Sequence, residues 1–152
     1  MKIYFASDHA GFELKKELVE FVKSQGFDVV DVGPDVCDQN DDYPDTISIA
    51  AELVSKNPEE DRAIVIGGSG QGEAMVCNRY PHIRAAVYYG GPVEIVSLSR
   101  AHNDANILSI GARFVDKNEI GEIVRGWLLE QFSNDTRHIR RIKKIDLLNP
   151  NA

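Results

Sequence analysis

Cysteine is scarce, with only Cys37 and Cys77 in 152 residues. That excludes a disulfide framework, so the fold must rest on its own core, and it fits a reducing cytoplasm. Basic residues are in deficit: 17 Lys and Arg face 24 Asp and Glu, for a formal net charge of −7. A surface of that sign argues against nucleic acid or an anionic membrane as the main partner. A small anion stays open, because it responds to local charge alone. No apolar run is long enough for a membrane span, and the one at Ile3–Ala6 is too short for a signal peptide. The four histidines, His9, His82, His102 and His138, show no metal-ligand spacing. What remains is a chain 43% hydrophobic and 27% charged, which suits one domain over residues 1–152 with a single core.

The apolar pattern alternates between two periods. Strands are expected at Ile3–Ala6, Phe27–Val32, Arg62–Ile66, Arg84–Tyr88 and Asn106–Ile110. Helices are expected from Phe12 to Gln25, Pro44 to Lys56, the Gly67–Gly72 loop to about Arg79, Pro92 to Asn103, and Asn118 to Phe132. A last helix runs from about Thr136 to Leu148 with no strand after it. It either caps the sheet or crosses to a second subunit. Residues 33–43 are the most polar stretch and read as a loop. Five strand–helix alternations predict an α/β fold: a Rossmann-like, doubly wound, five-stranded parallel sheet of order 2-1-3-4-5, with helices on both faces and an extra C-terminal helix. Ligands bind such sheets beyond the strand C-termini, where strand order reverses. Here that point lies between strands one and three.

Strand three ends in the most informative stretch, Gly67-Gly68-Ser69-Gly70-Gln71-Gly72-Glu73. Four glycines in six positions let the backbone approach a ligand closely, and the first turn of the following helix favours negative charge. The familiar uses of such a loop fail. A nucleotide-binding Walker loop needs a lysine, and none is present. The dinucleotide fingerprint read from Gly68 would need glycine where Glu73 stands. A nucleophile elbow around Ser69 would need glycine at Gln71. This disfavours a serine hydrolase using Ser69 and His102.

Glu73 is either a carboxylate that favours the helix dipole or, if desolvated, a general base; its place beside the glycines favours the second. Ser69 reads equally as a turn residue and as a ligand. Asp8-His9 reads as a helix cap or, at the switch point, as a ligand pair. His102-Asn103-Asp104, expected near the same crevice edge, offers an acid–base group, and Arg113 follows strand five to that edge. Arg137 and Arg141 lie four apart on one helix face, suited to gripping a phosphate; Arg140, Lys143 and Lys144 read as a solvated face.

Six motifs occur in register: Asp8-His9-Ala10-Gly11, Asp42-Tyr43-Pro44, Gly67 to Glu73, His102 to Asn106, Gly111-Ala112-Arg113, and Arg137-His138 with Arg141. Together they resemble the family of type B ribose-5-phosphate isomerases, which also holds galactose-6-phosphate and allose-6-phosphate isomerases. The resemblance spans Lys2 to about Leu148. It implies cofactor-free aldose–ketose isomerisation through a cis-enediolate. It makes Glu73 the base, Ser69 with the Gly70-Gln71-Gly72 backbone the cradle of the developing oxyanion, and Gly68 a further substrate-binding residue. It implies that His102 opens the sugar ring, Asn103 and Asp8 hold hydroxyls, and Tyr43 lines the pocket. His9, Arg113, Arg137 and Arg141 would bind phosphate. It further implies a cytoplasmic homodimer with shared active sites, or a tetramer of such pairs. Some relatives carry a cysteine base where Gly67 stands, so the base role here rests on Glu73. A five- or six-carbon sugar, and a non-catalytic sugar-phosphate or nucleotide-binding module, stay open as alternatives.

Overall fold

The computed structural model describes residues 1–148. Five strands, β1 (Lys2–Ser7), β2 (Asp28–Asp31), β3 (Arg62–Gly67), β4 (Ala85–Tyr88) and β5 (Ile107–Gly111), alternate with helices. These are α1 (Phe12–Ser24), α2 (Tyr43–Lys56), α3 (Gln71–Cys77), α4 (Glu94–Asn103), α5 (Ile120–Leu129) and α6 (Thr136–Asp146). All strand pairs are parallel. The elements match the pattern expected from the sequence to within a few residues at their ends.

The strand order departs from expectation in its last two places: it is β2-β1-β3-β5-β4, not 2-1-3-4-5. β5 inserts between β3 and β4. Every residue of β5 is buried, whereas three of the four in β4 are only half-buried. The more deeply apolar strand thus takes the interior position and β4 the edge.

Right-handed crossovers then fix the layers. The backward steps β1→β2 and β4→β5 put α1 and α4 on one face, while the forward steps β2→β3 and β3→β4 put α2 and α3 on the other. The core obeys this division. Ile3, Phe5, Ile64, Ile66, Leu108 and Ile110 face a layer holding Leu14, Leu18, Val96, Val124 and Trp127. Tyr4, Ala6, Ala63, Val65 and Ile107 face Ile47, Ala51, Val54 and Cys77. Alternate strand residues go to opposite faces, as the pleat requires. The indole N–H of buried Trp127 donates to Ser99 Oγ at 3.1 Å, so its one polar atom is not left unpaired.

The exchange of β4 and β5 also shapes the crevice. Because β5 pairs with β3, the turn after β5 runs beside the glycine loop: Ala112 N donates to Gly67 O at 2.8 Å and Arg113 N to Gly68 O at 3.2 Å. The order expected from the sequence would have held Arg113 one strand further away.

Candidate active site

The C-terminal ends of β1, β3 and β5 enclose a cleft of about 320 Å³, lined by Asp8, His9, Tyr43, Gly68, Ser69, Gly72, Glu73, Arg113 and Phe114 among others. Eight residues expected from the sequence meet here: Asp8, His9, Tyr43, Gly68, Ser69, Gly72, Glu73 and Arg113. A larger hollow of about 500 Å³ lies on the outer side of α3, lined by Gln71, Ala74, Met75, Asn78, Arg79, Ala85 and Val87. It offers no carboxylate or imidazole for proton transfer, so the smaller cleft is the better candidate. Gln71 lines that outer hollow and not the cleft that holds the other eight.

Glu73 is 4% exposed. It sits in the first turn of α3 and folds back over β3, so that a Cβ built on Gly67 would overlap its carboxylate. Glycine at 67 therefore vacates the volume the carboxylate fills. Desolvation pushes the Glu73 pKa up, its own backbone N–H pulls it down, and nearby Asp8 adds to the rise. At Gly72 a Cβ would come within 2.8 Å of the Tyr43 ring, so the lack of a side chain lets Tyr43 close over the helix start.

The loop itself is anchored from below. Gly70 adopts φ +76, the left-handed region that suits glycine, and buried Ser109 on β5 donates to its carbonyl at 2.6 Å. Ser69 Oγ accepts weakly from Gln71 N at 3.4 Å. Gly70 thus serves as a buried pivot, while Ser69 lines the cleft wall.

At the end of β1, buried Asp8 accepts from Gly11 N at 3.0 Å and so shapes the turn into α1. His9 Nδ1 lies 2.5 Å from Asp41 Oδ1. The hydrogen bond to Asp41 holds the His9 pKa above the ordinary histidine value, against the opposing effect of burial; Asp8 raises it further and Arg113 lowers it. Sequence reading missed Asp41, which sits in an acidic loop with no periodicity to mark it. It missed Phe114 and Ser109 likewise.

Four expected residues lie elsewhere. His102 and Asn103 end α4 and precede β5, which places them at the N-terminal edge of the sheet, not at the crevice edge where sequence reading set His102. Five residues of β5 rising about 3.3 Å each separate the two edges by about 13 Å. Arg137 and Arg141 belong to α6, which packs on α4 at the same far end. The His102 and His138 rings are 4.3 Å apart. His138 is buried, and burial followed by His102 lowers its pKa. Arg137 is exposed and pairs with Asp135 at 3.3 Å; Arg141 is exposed too. Among the described residues no group of three His, Cys, Asp or Glu side chains is placed to hold a metal ion, and no helix is long and apolar enough to cross a membrane.

Fold and cleft together define a Rossmann-like α/β protein with a candidate site at the topological switch point. The ribose/galactose isomerase family model matches residues 3–145. The chain is 41% identical over 143 residues to the probable ribose-5-phosphate isomerase B of Mycoplasma genitalium, covering 94% of this chain and 92% of that one. The crystal structure of ribose-5-phosphate isomerase B from Mycoplasma genitalium with bound ribulose-5-phosphate superposes with a TM-score of 0.93 at 39% identity, covering 99% and 97% of the two chains. The Clostridium thermocellum ribose-5-phosphate isomerase B gives a TM-score of 0.90 at 41% identity, over 99% and 98%. The chain belongs to the ribose/galactose isomerase family.

Proposed function

We propose that this chain is a cofactor-free aldose–ketose isomerase that interconverts ribose 5-phosphate and ribulose 5-phosphate. The observation that carries the reading is the Glu73 carboxylate, buried against Gly67 and opening on a cleft that also holds His9 and Arg113. The bound ketopentose phosphate named for the Mycoplasma genitalium relative fits that chemistry.

In this reading Glu73 removes the proton from the aldose C2 and returns it to C1. Negative charge gathers on the sugar oxygen in between. Ser69 and the loop N–H groups from Gly68 to Gly72 are fixed donors for that charge, and fixed donors stabilise it without reorganising. A raised pKa suits Glu73, because a base works best when its pKa approaches the operating pH. Asp8 positions a sugar hydroxyl, Tyr43 walls the pocket, and His9 and Arg113 meet the phosphate.

His102 for ring opening, Asn103 for a hydroxyl, and Arg137 and Arg141 for the phosphate lie at the wrong edge of the sheet to serve the Glu73 of their own chain. A second copy in two-fold symmetry would bring them to it and receive the same in return. We therefore infer a homodimer with shared sites, each chain a single domain over residues 1–152, working in the cytoplasm. The free thiols Cys37 and Cys77 suit that compartment.

The test is isomerisation of ribose, allose and galactose phosphates by the purified chain in heavy water. Turnover of ribose 5-phosphate with deuterium exchange at C2 is expected; binding without exchange would leave a non-catalytic module. The sharing of sites is tested by mixing Glu73→Gln and His102→Ala proteins, each inactive alone. Random re-pairing makes half the dimers mixed, each with one intact site of two, so about a quarter of wild-type activity should return. No recovery, with mixed dimers demonstrated, would place both residues in the site of one chain.

A further inference from the structure

The loop over residues 33–42, within the most polar stretch of the chain, is tied down at three points. At its base, buried Lys15 bridges Asp31 at 2.7 Å and donates to Pro34 O at 3.3 Å. In its middle, Cys37 Sγ lies 3.9 Å from the His9 carbonyl. At its end, Asp41 meets the His9 ring. Two of the three attachments are therefore to one residue of the cleft.

We propose that Asp41 is a positioning residue that fixes the His9 ring and keeps its Nε2 a hydrogen-bond donor toward the phosphate of the substrate. The proposal rests on the reading of His9 as a phosphate ligand. Asp41 occupies Nδ1, so only Nε2 is left for the cleft. With a neutral ring that donates from Nδ1 to Asp41, Nε2 is a bare acceptor and repels phosphate oxygens. With an imidazolium, Nε2 carries a proton and donates a charge-assisted bond.

The surroundings favour the charged ring. Asp41 from the loop and Asp8 from the end of β1 face it with negative charge, and Arg113 from the turn after β5 opposes them with positive charge. The side chain of Asp41 is 16% exposed, and its second oxygen, Oδ2, is buried without a hydrogen-bond partner among the described residues. A carboxylate held in that state needs a counter-charge beside it, and the His9 ring is the group placed to supply one.

The test uses Asp41→Asn in the full-length protein. Asparagine keeps an oxygen to accept from Nδ1, so ring orientation survives while the charge is lost. The ratio of variant to wild-type KM for ribose 5-phosphate, and of the inhibition constants for inorganic phosphate, cancels the titration of the phosphate itself. Both ratios should be near one at about pH 6 and rise about tenfold by about pH 8, with kcat changed less than about threefold. The His9 ring, followed by NMR, should titrate nearer its ordinary value of about 6.5. Asp41→Glu, which restores the charge, should bring the pH profile back toward wild type even if it is less well folded. Ratios that stay flat with pH, or a loss that falls on kcat, would overturn the proposal. His9→Gln separates it from the reading beneath it. If His9→Gln weakens phosphate and Asp41→Asn does not, only the role of Asp41 fails; if His9→Gln leaves phosphate inhibition unchanged, the phosphate role of His9 fails and takes this proposal with it.

Discussion

Replacing Gly67 by alanine should disable the cleft while leaving the fold intact. Gly67 has no positive φ, so alanine adopts its backbone without strain. The three heavy atoms nearest a Cβ at this position all belong to the Glu73 carboxyl group, and all three overlap it. Ordinary contact requires the carboxylate to retreat by more than about 1 Å. The atoms that must move are the far end of a rotatable side chain, not backbone. The stability cost should therefore stay below about 2 kcal/mol, a Tm loss of less than about 8 °C for a chain of this size. Proton transfer is far less forgiving. A base displaced by about 1 Å costs about 10²-fold in rate, or about 2.7 kcal/mol of transition-state stabilisation.

The assay is the initial rate of ketopentose phosphate formation from ribose 5-phosphate, beside a thermal melt. The expected outcome is kcat down about 10²-fold, with inhibition by inorganic phosphate unchanged and the melt nearly so. A kcat within about threefold of wild type would refute the reasoning. It would mean that the carboxylate does its work from somewhere other than its place against Gly67.

Glu73→Gln should lower kcat by about 10³-fold or more and leave phosphate inhibition in place; activity near wild type would remove Glu73 as the base. The pH profile carries the same assignment. Burial raises the Glu73 pKa, so the ionised base is lost as pH falls through that raised value, and the acid limb of kcat/KM should lie above the ordinary carboxyl range of about 4.3. A carboxyl whose folded pKa is raised withholds stability once pH exceeds its unfolded value, so Glu73→Gln should melt no lower than wild type at about pH 8. Gly126→Ala tests the helix framework alone. Gly126 lies inside α5 with nothing within 4 Å of a built Cβ, so alanine should raise stability by about 0.5–1 kcal/mol in denaturant unfolding.

The layered α/β architecture was legible because its signals are local: apolar runs for buried parallel strands, a helical period for the segments between them, and glycines at their ends. The order of β4 and β5 was not. Ala85–Tyr88 and Ile107–Gly111 are both short apolar runs, and right-handed crossovers can build the sheet in either order. Which strand goes inside depends on packing against α4 and α5, which no local pattern records. That order decides whether Arg113 reaches the cleft. Arg113 was therefore anticipated at the crevice from a strand order that would not have brought it beside the glycine loop. The local rule that residues after a strand face its C-terminal edge was sufficient; the global topology behind it was not.

The misplacement of His102 runs the other way and tells more. A segment between a helix and the next strand must lie at the N-terminal edge of a parallel sheet, so His102 and Asn103 cannot share a crevice with the Glu73 of their own chain. Yet α4 and α6 gather His102, Asn103, Arg137 and Arg141 at that edge: an imidazole, an amide and two guanidinium groups, with Arg141 exposed and Arg137 in an exposed ion pair with Asp135. Among the described residues the cleft at the opposite edge is lined by the buried Glu73 carboxylate and the glycine loop, with His9 and Arg113 as its basic side chains. The far end holds no counterpart of the buried Glu73 carboxylate, and the cleft holds neither the His102–Asn103 pair nor the two α6 arginines. Under the proposed sharing of sites, a monomer holds two half-sites and no whole one, whereas an isologous pair holds two whole ones. On this reading activity should depend on assembly: turnover per chain should fall on dilution below the dimer dissociation constant, while His9 and Arg113, the proposed phosphate ligands, remain in place on each isolated chain.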